Sequence, residues 1–280
     1  MDPVPQIRMH AAADGTRLAT RVWEVNKPLA NIVCLHGIVS HGGWYLASCA
    51  ALARAGFAVH MLDRRGSGMN RQHPGDVDRW ETWPQDVEHY LESLPETEPR
   101  LLLGISWGGT LATVVARRRP ELLGGLGLIC PGLYSKKAAT LFQRAALHVA
   151  GLLPLRCMRV KIPLQDPALF TSSPAYQASI ASDPLMLREI TIRFALANQK
   201  LVAYAIEQPE EIHVPALLML AGDDPISDNT KLRMFFGRLG SPNQRILEYS
   251  GASHTLEFEP DPSAYFQDLS SWCLEQTKQR

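Results

Sequence analysis

The sequence lacks an excess of charge of either sign: Lys plus Arg number 28 and Asp plus Glu number 28, for a formal net charge of zero. Binding to phosphate backbones draws on a basic surplus, so nucleic acid is not an expected partner. Long apolar runs are missing too. Gly, Pro, His or Arg interrupts each candidate before the ~18 residues that a membrane span needs. Met1 to His10 has no basic stretch followed by an apolar one, so no secretory leader is expected there. The five cysteines, Cys34, Cys49, Cys130, Cys157 and Cys273, are odd in number, far apart and mostly set in apolar runs. That suits buried thiols rather than a disulfide frame or a metal knuckle, and it leads to an expected cytoplasmic location. What the chain does have is core material. With 46% hydrophobic and 20% charged residues over 280 positions, it can form one large domain or a core with one sizeable insertion.

The order of apolar segments predicts the fold. Gln6 to Ala12 and Arg17 to Glu24 flank Asp14-Gly15, a hairpin signal in which glycine supplies positive φ. From Asn31 onward, short apolar runs alternate with helix-length segments: Ile32 to Leu35, Phe57 to Leu62, Leu101 to Ile105, Leu126 to Cys130, Ala216 to Ala221 and Arg245 to Tyr249. Such alternation belongs to a parallel sheet covered by helices on both faces, here an α/β fold of about eight strands. The spacing predicts helices over Leu46 to Ala55, Gln85 to Leu94, Thr110 to Arg118, Asn229 to Leu239 and Ala264 to Gln276. One connection, from Pro131 to Pro215, is far longer than the ~2 to 6 residues usual in such folds. It predicts an inserted helical subdomain over 134–213, with helices over Lys137 to Ala150 and Leu185 to Ala197, seated on a core of residues 1–133 and 214–280. Its apolar segments, among them Leu141-Phe142, Leu147-His148-Val149, Leu152-Leu153-Pro154-Leu155 and Ile190 to Phe194, exceed what such an excursion needs to seat itself. They are candidates to line a binding tunnel.

Chemistry concentrates at three strand ends. Leu101 to Ile105 runs into Gly104-Ile105-Ser106-Trp107-Gly108 and then into a helix. A bare G-x-S-x-G arises by chance in roughly one chain in ten of this length. At a strand-to-helix junction it is far more specific, because the tight turn there needs Gly or very small residues two before and two after a serine lifted above the sheet. Ser106 is therefore the candidate nucleophile. Such a serine needs a base, and the base needs a carboxylate, in the chain order Ser, acid, His. His254 follows the last predicted strand, whereas His89, His148 and His213 fit surfaces and His60 alternates within a strand. Asp223, Asp224 and Asp228 all follow Ala221. Asp224 is favoured for the acid because Pro225 fixes the loop behind it, while Asp228 suits a helix N-cap. The amides of Trp107 and Ile38 are the candidate oxyanion donors, one at the helix N-terminus and the other in the loop after Leu35.

The stretches His36-Gly37-Ile38-Val39-Ser40-His41-Gly42-Gly43-Trp44-Tyr45, Asp63-Arg64-Arg65-Gly66-Ser67-Gly68, Gly104 to Gly109, Ala221 to Ile226 and Gly251-Ala252-Ser253-His254 together resemble the α/β-hydrolase superfamily. More narrowly, they are similar to its monoacylglycerol lipase and lysophospholipase branch. The resemblance implies an eight-stranded sheet with a helical cap inserted after strand six. It also implies an oxyanion region that includes His36, Gly37, His41 and Tyr45 as substrate-binding positions, and an acid at Asp224. Asp63 to Gly68 resembles a structural turn. The chain departs from the branch at Ile105 and Trp107, where His or Gln more often precedes the nucleophile and Met or a similar side chain follows it.

The expected activity is serine hydrolysis of a small-molecule ester with an apolar acyl group, needing neither metal nor organic cofactor. Cleavage of an amide, a thioester or a carbon-carbon bond by the same triad is the alternative, as is a ligand-binding member of the fold without catalysis. Transient contact of the cap with a membrane surface fits its apolar character. The sequence specifies no oligomeric state.

Overall fold

The computed structural model of the chain describes residues 3–138, 140–152 and 155–278. Leu153 and Pro154, within one of the apolar segments named above, lie outside the described residues. The chain opens with the hairpin β1 (Gln6–Ala11) and β2 (Arg17–Trp23), with Gly15 at φ 80° in its turn. Next come β3 (Asn31–Leu35), α1 (Leu46–Arg54), β4 (Ala58–Leu62), α2 (Thr82–Ser93), β5 (Arg100–Ile105), α3 (Trp107–Arg118) and β6 (Gly125–Ile129). The excursion that follows holds α4 (Leu141–Leu152), β7 (Arg159–Lys161), α5 (Pro174–Ser182), β8 (Glu189–Thr191) and α6 (Ile192–Glu207). The chain then returns through β9 (Ala216–Ala221), α7 (Asn229–Phe236), β10 (Gln244–Tyr249) and α8 (Ser263–Thr277).

Eight strands form one sheet in the order β1-β2-β4-β3-β5-β6-β9-β10. β2 runs antiparallel to both its neighbours, and all other pairs are parallel. Every residue of β3, β4, β5, β6 and β9 is buried. This is why those strands read as continuous apolar runs rather than alternating ones: helices cover both faces. The register pairs Ile105 with Ile129, Ile129 with Met219 and Ala221 with Tyr249. The loops leaving β5, β9 and β10 therefore emerge along one edge of the sheet, the carboxyl edge where open α/β sheets carry their sites.

Several element boundaries depart from the predicted ones, and prolines and capping side chains account for the main differences. α2 begins at Thr82 rather than Gln85 because Pro84 sits in its first turn, where a missing N–H costs nothing. Pro174 likewise opens α5, a helix that the spacing did not predict. The helix predicted over Leu185 to Ala197 is in part a strand. β8 pairs antiparallel with β7, and α6 starts only after Thr191, whose Oγ1 caps it by accepting the Phe194 amide at 3.1 Å. α4 begins after Thr140, whose Oγ1 accepts the Gln143 amide while Gln143 Oε1 accepts the Thr140 amide. This reciprocal pair is a capping box. No helix among the described residues is long and apolar enough to cross a membrane.

The excursion is tied down along one side. The Leu187 amide donates to Val39 O, the Thr255 amide to Phe170 O, and Arg193 pairs with Asp76. Phe194 is buried against Trp83, ring centroids 4.8 Å apart. α4 is the contrast: Phe142 and Val149 are 84% and 61% exposed.

Candidate active site

Ser106 joins β5 to α3 with φ 53° and ψ −121°, a conformation that side-chain-bearing residues rarely adopt and that costs on the order of 1–3 kcal/mol. The surrounding glycines make the turn possible by close approach. A Cβ at Gly104 would overlap the carbonyl oxygen of Gly108, and one at Gly108 would overlap that of Leu35. The strained turn pushes the serine side chain out at the end of the sheet. There His254 Nε2 lies 2.9 Å from Ser106 Oγ.

His254 comes from the loop after β10, and its Nδ1 lies 2.8 Å from Asp224 Oδ2 in the turn after β9. An ionised carboxylate only accepts, so Nδ1 carries the proton and Nε2 offers its lone pair to the Ser106 hydroxyl. The Asp224 side chain is fully buried, and its Oδ1 accepts the amides of Ile226 at 2.8 Å and Ser227 at 2.9 Å. Burial alone would raise its pKa. The charge and hydrogen bond of His254, with the two amides, outweigh burial and hold the carboxyl below its ordinary value. Lys136 anchors the same turn by donating to Asp224 O at 2.7 Å. Of the other candidate acids, Asp223 is exposed and Asp228 caps α7 by accepting the Lys231 amide at 3.1 Å.

The remaining candidates surround this chain of hydrogen bonds. The Trp107 amide is the first of α3, and Ile38 follows Gly37, whose Cα packs against the nucleophile: a Cβ there would lie 3.3 Å from Ser106 Cβ. Among the described residues neither the Ile38 nor the Trp107 amide donates to a protein acceptor. His36 has a role other than the one the resemblance implies. Its Nε2 accepts the Arg64 amide at 3.0 Å and its Nδ1 donates to Gly37 O at 2.7 Å, so both ring nitrogens are taken up by backbone. Burial, then the charge of Arg64, lowers its pKa to about 3, and the ring is a neutral clasp on the loop rather than a group free to meet substrate. His41 Nε2 donates to Asp183 Oδ2 at 3.0 Å, and Trp44 Nε1 donates to the same oxygen at 2.6 Å. Tyr45 is buried with its hydroxyl 3.0 Å from Ser40 Oγ. Both residues thus brace the loop that carries Gly37 and Ile38. Asp63 does so as well, its Oδ1 accepting the Gly42 amide at 2.6 Å, in keeping with a structural turn.

Three groups near the site were not singled out by the sequence. Phe170 presents its ring to His254 at 6.2 Å, Asn198 accepts the Trp107 indole N–H at 2.6 Å, and Arg64 lies over the Trp107 ring. Cys130, Asp224 and His254 also bring ligand-type atoms within 4.8 Å of one another. Burial raises the Cys130 thiol far above its ordinary pKa, and the other two groups are already committed to each other. That donor set fits a hydrogen-bonded relay better than a metal centre.

Residues 26–261 match the family described as "Serine aminopeptidase, S33". The chain belongs to this family. It is a serine hydrolase of the α/β-hydrolase fold, similar to the monoacylglycerol lipase branch. The human monoglyceride lipase is 27% identical to this hydrolase over 274 residues, 95% of this chain and 89% of that one. The phospholipase YtpA of Bacillus subtilis is 27% identical over 252 residues, 88% and 95% of the two chains. Among solved structures, the monoacylglycerol lipase of Paleococcus ferrophilus superposes with a TM-score of 0.84 at 25% identity, covering 93% of this chain and all of that one.

Proposed function

We propose that this hydrolase cleaves carboxylic esters of apolar acyl groups, monoacylglycerol-like or lysophospholipid-like, through an acyl-enzyme on Ser106. The observation that carries the proposal is the continuous relay Ser106–His254–Asp224, at 2.9 and 2.8 Å, on a strained strand-to-helix turn. Ser106 Oγ attacks the ester carbonyl while His254 Nε2 takes its proton, and Asp224 holds the tautomer and stabilises the imidazolium. The carbonyl oxygen becomes an oxyanion that receives the amides of Ile38 and Trp107. Collapse of the adduct expels the alcohol, which leaves with the proton from His254. Water, deprotonated by the same nitrogen, then attacks the acyl carbon, and the second adduct collapses by breaking the bond to Ser106 Oγ, which takes the proton back from His254 as the acid leaves.

Residues 134–213 serve as the cap. This segment meets the site through Phe170 beside His254, Asn198 on Trp107 and the ammonium of Lys136 on Asp224 O, and none of these is a carboxylate. Its Asp183 carboxylate is engaged by His41 and Trp44. Contact of α4 with a lipid surface belongs to the same reading, because its exposed Phe142 and Val149 lie on a helix that contains no acidic residue.

The family's description favours a second reading, cleavage of an amide next to a free α-amino group. Such a substrate calls for a carboxylate to receive the ammonium, which weighs against it. The two separate in one assay. With p-nitrophenyl esters from acetyl to dodecanoyl, burial of ~0.8 kcal/mol per methylene predicts kcat/KM rising about fourfold per CH₂ until the tunnel is full. A steady fall from acetyl onward, or faster turnover of aminoacyl p-nitroanilides, would overturn the apolar-ester proposal.

A further inference from the structure

Arg64 follows β4 and the buried Asp63, in a stretch that the mechanism above leaves without a role. Its side chain is almost wholly buried, with 8% of the residue exposed. Nη2 donates to Ile38 O at 2.9 Å, and the guanidinium carbon lies 4.6 Å from the centre of the Trp107 ring and 5.4 Å from that of Phe194. Its backbone amide donates to His36, which in turn donates to Gly37 O. Among the described residues Nε and Nη1 have no hydrogen-bond partner. The adjacent carboxylate in sequence, Asp63, is already shared by Arg21 and the amides of Gly42 and Met69. A buried cation is costly and ordinarily carries its own counter-ion. Here it has cation–π contacts, a single carbonyl and, among the described residues, two nitrogens without a hydrogen-bond partner instead.

We infer that Arg64 is the positioning residue of the oxyanion hole: by holding the Ile38 carbonyl and the Trp107 ring together, one guanidinium fixes both residues whose amides receive the oxyanion, and it adds a fixed positive charge behind them. The Ile38 N–H shares a peptide plane with Gly37 O, which His36 holds and the Arg64 amide holds in turn, while Nη2 fixes the following plane at Ile38 O, so Arg64 braces both peptide planes that flank Ile38. The Trp107 side chain is held from two sides, by the guanidinium over its face and by Asn198 on its indole nitrogen, so the first amide of α3 has little freedom. A fixed dipole or charge placed before the reaction stabilises developing negative charge without reorganisation. This also gives a physical sense to Trp107 itself: a smaller side chain would offer the cation no ring. The inference rests on the proposed acyl transfer at Ser106.

The test uses Arg64→Met and Arg64→Lys with p-nitrophenyl butyrate as substrate, together with a trifluoromethyl ketone of the same chain length that forms a tetrahedral oxyanion on the serine. For Arg64→Met we expect kcat to fall about 30-fold, less than the 10²–10³ lost with an oxyanion donor itself, with KM within about threefold of wild type. The inhibition constant of the trifluoromethyl ketone should rise in parallel with the loss of kcat, whereas that of the corresponding alcohol should not. Arg64→Lys keeps the charge but cannot span both contacts, and should lose about five- to tenfold in kcat; should the Met variant not fold, the Lys variant decides. Wild-type kcat in the Lys variant, or a fall in kcat that leaves ketone binding unchanged, would overturn the inference. Failure of the acyl-transfer reading looks different: wild-type protein would not form the ketone adduct on Ser106 at all.

Discussion

Replacing Asp224 with Asn changes one atom, and the geometry dictates where that atom goes. Asp224 Oδ1 accepts two buried amides, Ile226 and Ser227, while Oδ2 receives only Nδ1–H of His254. Asparagine has one oxygen and one NH₂. If the NH₂ took the Oδ1 place, two buried amides would lose their acceptor, at about 1–3 kcal/mol each. The oxygen therefore stays with the amides and the NH₂ turns to His254. Nδ1 must then accept, the proton moves to Nε2, and that nitrogen faces Ser106 Oγ at 2.9 Å with nothing to receive the hydroxyl proton. The expected loss is about 10⁴ in kcat, close to 5.5 kcal/mol in the barrier, with little change in KM or in Tm. Steady-state kinetics with p-nitrophenyl butyrate and a thermal melt of both proteins measure it, and Asp228→Asn is the control, since it exchanges one good N-cap for another. A loss below about 10², or a larger one at Asp228, would refute the tautomer argument.

Gly37→Ala should fold but work poorly, because its methyl would lie 3.1 Å from Ser40 Oγ and 3.3 Å from Ser106 Cβ. We expect kcat to drop about 10- to 100-fold with a Tm shift of a few degrees, and unchanged kcat would show that the loop yields there. Glu257, buried under the N-terminus of α1 where the Ala47 amide and the Ser48 hydroxyl donate to it, has its pKa pushed by burial from 4.5 to about 7. The folded state binds that proton more tightly than the unfolded one. The stability it confers is therefore full below about pH 4.5 and gone once pH rises through about 7, a difference of about 3 kcal/mol that Glu257→Gln should remove from urea melts across that range. Parallel pH profiles for the two proteins would contradict it. Phe142→Ser with Val149→Ser should lower hydrolysis of monoacylglycerol presented in phosphatidylcholine vesicles at least about fivefold and leave soluble p-nitrophenyl butyrate untouched. Equal loss on both substrates would show that α4 does not meet the lipid surface.

How legible the chain is varies with how local the cause is. The alternation of buried strands and helices is written in residue type, and the eight-stranded sheet follows the apolar runs closely. The turn at Ser106 is legible because its steric demand falls on Gly104 and Gly108, neighbours in sequence. The choice between Asp223 and Asp224 rests on a turn, and only the fold shows which carboxylate looks inward. Thr140 and Gln143 carried a capping signal three residues apart that marks the start of α4, and Pro84 and Pro174 each sit in the first turn of a helix, where proline is compatible. The bracing of His36 by Arg64 and of Trp107 by Asn198 joins residues 28 and 91 positions apart, and no local pattern encodes such pairs. That is why His36 read as a substrate contact when both its nitrogens hold backbone.

The central claim is a nucleophilic serine at position 106, and a fluorophosphonate tests it most directly. Purified wild-type protein should gain the mass of a single adduct, and digestion should map it to Ser106. His254→Ala should label far more slowly. Ser106→Ala, folded and melting at the wild-type temperature, should gain no adduct and should retain about 10⁻⁶ of the ester turnover. An adduct on any other residue, or a Ser106→Ala protein that still hydrolyses the ester at a measurable fraction of the wild-type rate, would contradict the account.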